Sequence, residues 1–205
     1  MEITDLFLIN RMIPVLTINK LETALPLCTA LIKGGLNVIE ITLRTKLTLD
    51  SVEILSKEFP EVRIGVGTLL DPQDLNRAKN SGACFAVSPG LNMDLVRQAE
   101  TVGLAYLPGI QTSSEAMTAY RNGLRALKFF PAKAAGGIYG LQQLRPLYPG
   151  LKFCPTGGIG FSDATEYLKE ENVACIGGSF ASPSNLIEEQ NWKEITKLAI
   201  KAAAL

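Results

Sequence analysis

Short apolar segments alternate with amphipathic ones eight times along the chain, and prolines and glycines punctuate the joins. Apolar runs read as strands over roughly 12–17, 36–43, 61–67, 83–88, 104–107, 124–130, 151–154 and 173–177. Helical periodicity covers 21–33, 47–58, 72–81, 92–101, 113–121, 137–147, 162–169 and 190–203, after a short N-terminal helix at 3–10. Glycines at Gly34-Gly35, Gly82, Gly103, Gly123 and Gly150 stand where a helix leaves through a left-handed residue. Pro89, Pro108, Pro131 and Pro155 each close a strand, where a missing N–H costs no ladder hydrogen bond. Alternation this regular implies an α/β fold with a parallel sheet built from right-handed crossovers. Eight units favour a closed (β/α)8 TIM barrel with a short N-terminal helix, although 205 residues lies near the lower end of that fold's range, roughly 200 to 400. An open doubly wound sheet is the alternative, and the absence of GxGxxG after the first strand counts against it. No linker or low-complexity stretch interrupts the chain, so one domain is expected over 1–205.

The chain contains no histidine. That removes Ser-His-Asp and Cys-His nucleophile systems, imidazole acid/base chemistry and the commonest ligand of a catalytic zinc. Catalysis must run on Lys, Glu, Asp, Tyr, Ser, Thr or Cys. The 20 basic residues balance the 20 acidic ones, so no net field points to nucleic acid or to an anionic membrane. An anionic substrate has to be met by a local site. Cys28, Cys84, Cys154 and Cys175 form no CxxC pair and sit in apolar stretches, as reduced structural thiols do. The N-terminal MEITDLFLIN lacks a basic region followed by a long apolar run, and no stretch approaches the ~18 apolar residues of a membrane span. A cytoplasmic protein with no membrane or nucleic-acid partner is expected.

Strand side chains alternate between the helix layer and the lumen. In the second strand Ile39, Ile41 and Leu43 form an apolar face for the helices, which turns Val38, Glu40, Thr42 and Arg44 inward. In the sixth, Leu127 and Phe129 face the helices and Ala126, Lys128 and Phe130 face the lumen. Ionisable groups inside an apolar barrel are costly unless paired or used. Glu40 and Lys128 could be a purely structural ion pair. The chemical reading is stronger, because burial of an amine among apolar groups favours the neutral form that attacks carbonyls. Active sites on barrels lie at the carboxyl ends of the strands, where Thr68, Ser88-Pro89-Gly90, Pro108-Gly109, Thr156-Gly157-Gly158 and Gly177-Gly178-Ser179 occur. The last two follow strands seven and eight, the usual phosphate position, where glycines let backbone N–H groups come close to the oxygens.

Seven segments, GGLNVIEITLRT (34–45), VGTLLDPQDL (66–75), FAVSPGL (85–91), LPGIQTSSE (107–115), LKFFPA (127–132), KFCPTGGI (152–159) and CIGGSF (175–180), are similar in order and spacing to those of the 2-keto-3-deoxy-6-phosphogluconate aldolases, which also act as 4-hydroxy-2-oxoglutarate aldolases. The resemblance covers nearly the whole chain. It implies that Lys128 forms a Schiff base with the keto acid and that Glu40 is the general acid/base, relaying protons through water. It implies that Arg44 clamps the pyruvate carboxylate, suited by a planar bidentate donor, and that Thr68, Pro89 and Phe130 also contact the pyruvate portion. Thr156 would control stereochemistry at the aldehyde-derived oxygen, and Gly157, Gly158, Gly178 and Ser179 would hold the phosphate.

The expected reaction is a class I aldol cleavage of 2-dehydro-3-deoxy-6-phosphogluconate to pyruvate and glyceraldehyde 3-phosphate, with 4-hydroxy-2-oxoglutarate cleaved to pyruvate and glyoxylate. No cofactor and no metal are expected, the partner is a keto-acid sugar phosphate, and the resemblance suggests a homotrimer. Competing readings are a sibling lysine aldolase for the phosphogalactonate or for an unphosphorylated keto acid, and a catalytically silent metabolite-binding barrel. Two positions depart from the pattern. Lys133 stands where many members carry glutamate, either as a solvated loop charge or as an aid to anion binding. Thr17 stands where some relatives carry an arginine near the phosphate. Ser88 and Ser179 have no base to make them nucleophiles, so turn chemistry suits them better.

Overall fold

A computed structural model describes residues 2–205. Parallel strands alternate with helices throughout. The order is α1 (Asp5–Ile9), β1 (Met12–Leu16), a 3-10 turn (Leu21–Thr23), α2 (Ala24–Lys33), β2 (Val38–Thr42), α3 (Thr48–Glu58), β3 (Arg63–Gly67), α4 (Pro72–Asn80), β4 (Phe85–Val87) and α5 (Met93–Val102). There follow β5 (Ala105–Leu107), β6 (Gly109–Ile110), α6 (Ser113–Arg121), β7 (Ala126–Phe129), α7 (Gly137–Leu144), β8 (Lys152–Pro155), α8 (Ala164–Lys169), β9 (Ile176–Gly178), α9 (Ser184–Glu188) and α10 (Trp192–Ala203).

The strands form a six-stranded sheet in the order β5-β4-β3-β2-β1-β9 and a three-stranded sheet in the order β6-β7-β8, every pairing parallel. The arrangement is a curled parallel sheet with helices outside it. The segment read from sequence as a strand at 104–107 continues beyond Pro108. β5 pairs with β4, whereas β6 pairs with β7, and the Pro108 carbonyl accepts from Lys128 N at 2.9 Å. Proline supplies no N–H, so the strand changes partners across it. β6 escapes a periodicity reading because two residues carry no period.

Several further boundaries differ from the sequence expectation, and one helix is new. The helix expected at 21–33 opens as the 3-10 turn, the helix expected from 190 opens at Trp192, and α9 was not anticipated. The helix expected from 162 begins at Ala164, and β9 ends at Gly178 instead of 177. Short elements close on local hydrogen bonds, such as Thr23 Oγ1 to the Lys20 carbonyl at 2.7 Å, which hydrophobic spacing does not encode.

Two apolar clusters follow from the alternation. Ile39, Ile41, Val66, Leu127 and Phe129 join the helices in the larger one, and Leu43 packs against it. Val38, Phe85, Val87, Ala126 and Cys154 fill the concave side, closed at the amino ends of the strands by Leu6 and Phe7 of α1. The Phe85 ring lies against the Gly65 backbone, where any Cβ would collide with it. α1 is thus a plug: its five residues are too few to hold a helix alone, and its buried face fixes it in place.

Candidate active site

The two ionisable side chains that alternation turned inward meet. Lys128 on β7 donates to Glu40 on β2, with Nζ 3.2 Å from Oε1 and 3.4 Å from Oε2. They are 5% and 4% exposed. Lys128 Nζ also lies 5.3 Å from the centre of the Phe130 ring. Removing either partner of so buried a pair strands a charge in an apolar surround.

Room for the carboxylate comes from β3. Gly67 is the register partner of Thr42, and a Cβ there would overlap Glu40 Oε1. Gly67→Ala should therefore push the carboxylate off Lys128. The expected result is a loss of about 1–3 kcal/mol in urea unfolding from overpacking, with a larger proportional loss of turnover than of substrate binding. Unchanged turnover would show that the carboxylate's position is not demanding.

The next residue, Thr68, holds φ +66°, a left-handed backbone that a β-branched residue rarely adopts. Strain of this kind persists where the surroundings over-determine it, and it fixes the direction of the Thr68 side chain at the carboxyl end of β3. Pro89 sits in a loop that is tied down from below. Tyr106 donates to Ser88 Oγ at 2.6 Å, and Ser88 Oγ donates to the Gly90 carbonyl at 2.7 Å. Burial pushes the Tyr106 hydroxyl up to about 12, against the opposing pull of its bond to Ser88, so it stays a donor across the physiological range. Ser88 is structural. Ser88→Ala should cost about 1–3 kcal/mol because it orphans the Tyr106 hydroxyl, and Tyr106→Phe should cost less. Denaturant midpoints of the two variants test that order, and the reverse order would show that the tyrosine carries the loop by another contact.

A cavity of about 860 Å³ opens at the carboxyl ends of the strands. Arg44, Phe130, Thr156, Gly157, Gly158, Gly178 and Ser179 line it, while Lys128, Glu40, Thr68 and Pro89 are not part of the lining. Lys128 lies on β7, two residues before Phe130, which follows the strand. Arg44 is exposed and enters no ion pair among the described residues.

The two glycine pairs differ in kind. Gly157 and Gly158 hold φ +106° and +81°, and among the described residues neither N–H makes a backbone hydrogen bond of normal geometry, an arrangement with which a turn can meet an anion. Gly177 and Gly178 belong to β9 and have no positive φ. They are glycines because a Cβ at Gly177 would strike Thr156 Oγ1 and one at Gly178 would meet the Phe180 ring. The sequence reading ended the eighth strand at Gly177, and the structure carries it one residue further, through Gly178.

Lys133 is an exposed loop charge, as the first of its two sequence readings has it, and the fold adds a partner for it. Its stem covers Gly158, and its Nζ pairs with Asp163 Oδ2 at 2.9 Å, while Asp163 Oδ1 accepts from Gly160 N at 2.8 Å. The bond to Asp163 raises the Lys133 ammonium above its ordinary value. Burial alone would raise the Asp163 carboxyl, but the Lys133 ammonium and the Gly160 N–H together hold it below its ordinary value. A depressed carboxyl stabilises the fold above its unfolded pKa and loses that effect as the pH falls through its folded one. The Gly158–Gly160 turn should therefore loosen in acid, and Asp163→Asn should remove that part of the acid dependence of thermal unfolding. An unaltered acid limb would exclude the pair as its source.

The sequence missed Asn19, Lys20, Ser182 and Glu188, which also line the cavity. They stand in the loop after β1 and on or before α9, where no strand-end motif marks them. Among the described residues no group of His, Cys, Asp and Glu side chains is arranged to hold a metal. What the site offers is a buried amine beside a carboxylate, a free guanidinium, and a glycine turn across the cavity.

A family model described as KDPG and KHG aldolase matches residues 3–198. The chain is 43% identical over 190 residues to the KHG/KDPG aldolase of Escherichia coli K12, covering 93% of this chain and 89% of that one. It superposes with a TM-score of 0.97 at 40% identity on a KDPG aldolase from Legionella pneumophila solved with pyruvate captured at low pH as a covalent carbinolamine intermediate, covering 99% and 98% of the two chains. Against the 2-keto-3-deoxy-6-phosphogluconate aldolase of Zymomonas mobilis ZM4 solved with 3-phosphoglycerate, the TM-score is 0.93 at 38% identity, over 98% and 95%. Motifs, site geometry and these matches agree, and the chain belongs to the KDPG and KHG aldolase family.

Proposed function

We propose that this protein is a Schiff-base aldolase that cleaves 2-dehydro-3-deoxy-6-phosphogluconate to pyruvate and glyceraldehyde 3-phosphate. The observation that carries the reading is the Lys128–Glu40 pair, buried together at 3.2 Å beside the cavity. The relatives named above act on this substrate or carry its pyruvate part as a carbinolamine, the adduct an amine makes with a ketone.

Lys128 Nζ attacks C2 of the keto acid, and loss of water from the carbinolamine leaves the imine. The iminium draws the C3–C4 electron pair as Glu40, directly or through water, takes the proton of the C4 hydroxyl. The aldehyde departs and an enamine remains on Lys128. Proton return to C3 and hydrolysis release pyruvate and the free amine. The imine is itself the electron sink, so the reading calls on no metal and no cofactor. Arg44 holds the carboxylate as a bidentate donor, Thr68, Pro89 and Phe130 bound the pyruvate portion, and Thr156 faces the aldehyde-derived oxygen. Gly157, Gly158, Gly178 and Ser179 hold the phosphate. With a small aldehyde portion the same steps cleave 4-hydroxy-2-oxoglutarate to pyruvate and glyoxylate.

The same reading takes the two sheets as one closed eight-stranded barrel forming a single domain over 1–205. Parallel bridges Phe153–Val173 and Thr156–Gly177 join the β8 and β9 regions, and Pro108 links β5 to β6. It also takes the assembly as a homotrimer, for which exposed Leu70, Met117, Tyr139 and Leu147 supply apolar surface, with light scattering as the check. A cytoplasmic location suits four unpaired cysteines, and among the described residues no helix is long and apolar enough to cross a membrane.

The test is reduction with borohydride in the presence of pyruvate, followed by intact mass and peptide mapping. One adduct on Lys128 is expected. No stable adduct, or one on Lys133, overturns the assignment.

A further inference from the structure

Two polar side chains in the cavity wall have no task in the mechanism above. Lys20, in the loop after β1, lines the cavity and enters no ion pair among the described residues. Its root is fixed, because its carbonyl accepts from Thr23 N at 3.1 Å and from Thr23 Oγ1 at 2.7 Å. Ser182 lines the same cavity at 3% exposure, and its Oγ is one of two buried side-chain polar atoms without a hydrogen-bond partner among the described residues. A hydroxyl shut away from water without a partner is costly and calls for an explanation. Ser182 N donates to the Ser179 carbonyl at 3.0 Å, so this hydroxyl stands one turn from the phosphate end of the cavity.

We propose that Lys20 and Ser182 form the outer half of an anion subsite and that they hold the distal oxygens of a phosphomonoester dianion. The N–H groups of the Gly157–Gly158 turn face the inner oxygens. The inference rests on the aldolase reading, which names the molecule that carries the phosphate and assigns Arg44 to its carboxylate. Backbone donors alone leave a dianion short of countercharge, and the lining offers two cations, Arg44 and Lys20. Arg44 follows β2, the strand that carries Glu40, and is taken by the substrate carboxylate. Thr17, at the end of β1, is neutral and bonded to Thr42 Oγ1 at 2.9 Å. Lys133 borders Gly158 but is committed to Asp163 and lies outside the lining. Glu188 is the acidic residue of the lining and pairs with neither cation. Lys20 is therefore the remaining cation of the lining, and a mobile ammonium with three donors suits a rotating phosphate.

The experiment compares Lys20→Met, Ser182→Ala and the remote surface control Lys193→Met in two arms. In the first, binding of inorganic phosphate to the full-length protein is followed by phosphorus NMR at fixed ionic strength. In the second, KM and kcat are measured for 2-dehydro-3-deoxy-6-phosphogluconate and for unphosphorylated 4-hydroxy-2-oxoglutarate. Lys20→Met should weaken inorganic phosphate and raise KM for the phosphorylated substrate by about ten-fold, and Ser182→Ala should do so by about three-fold. Both should leave the unphosphorylated substrate unchanged, and Lys193→Met should change nothing. Equal loss on both substrates, or unaltered phosphate binding in Lys20→Met, overturns the subsite. If Lys20→Met abolishes phosphate binding while borohydride traps no pyruvate on the unaltered protein, the subsite stands and the aldolase reading falls.

Discussion

Lys128→Met is expected to abolish borohydride trapping of pyruvate and to reduce cleavage on the order of 10⁴-fold or more, since no other amine occupies the nucleophile's position. The same change should cost about 3–5 kcal/mol of stability, because it leaves the Glu40 carboxylate, 4% exposed, without its counter-ion. The two effects separate in the double variant. Lys128→Met with Glu40→Gln removes both charges, so most of the stability should return while activity stays absent. Urea unfolding and single-turnover assays read the two quantities independently. Stability lost equally in the single and double variants would mean that the lysine stem, not the charge pair, carries the packing. Residual trapping in Lys128→Met would place the nucleophile elsewhere, and Lys133, five residues away in sequence, would be mapped first.

Glu40→Gln should show the complementary pattern. The amide keeps the shape of the side chain and leaves the Lys128 amine in place, so pyruvate is still trapped. An amide cannot take the C4 hydroxyl proton or return one to C3, so turnover should fall by about 10²–10⁴-fold. The ratio of trapping to turnover is the decisive quantity. If both fall together, Glu40 acts by holding Lys128 in position and another group moves the proton. Gly67→Ala offers a check that leaves the carboxyl group itself intact, since it displaces the carboxylate without changing its chemistry.

Alternation in β2 and β7 was legible because each strand carries an unbroken apolar face. Once Ile39, Ile41, Leu127 and Phe129 are given to the helices, Glu40 and Lys128 have one direction left, and the packing agrees. The helix-ending glycines were legible for a similar reason: Gly35, Gly82, Gly103, Gly123 and Gly150 all hold positive φ. Glycine and proline act through the local backbone, so their signal survives in one dimension.

Elements whose existence depends on distant partners were not legible. β6 is a strand because Pro108 hands the chain from β4 to β7. Gly177 and Gly178 are glycines because Thr156 and Phe180, brought from elsewhere, occupy the space above them. The sequence left Lys133 poised between solvent and anion, and only the fold supplied Asp163, thirty residues later. It was likewise silent on Lys20 and Ser182, whose meaning comes from sharing one cavity wall.

By itself, then, the sequence determined the alternation of strands and helices, the inward direction of Lys128 and Glu40, and the exclusion of imidazole chemistry. Those follow from periodicity and residue type, which are local. The tertiary structure decided that the lysine and carboxylate meet at 3.2 Å, that Gly67 makes room for the carboxylate, and that Lys133 pairs with Asp163 beside the Gly158 turn. Those depend on which side chains the fold brings together across the sheet, and distance in space is not written in distance along the chain.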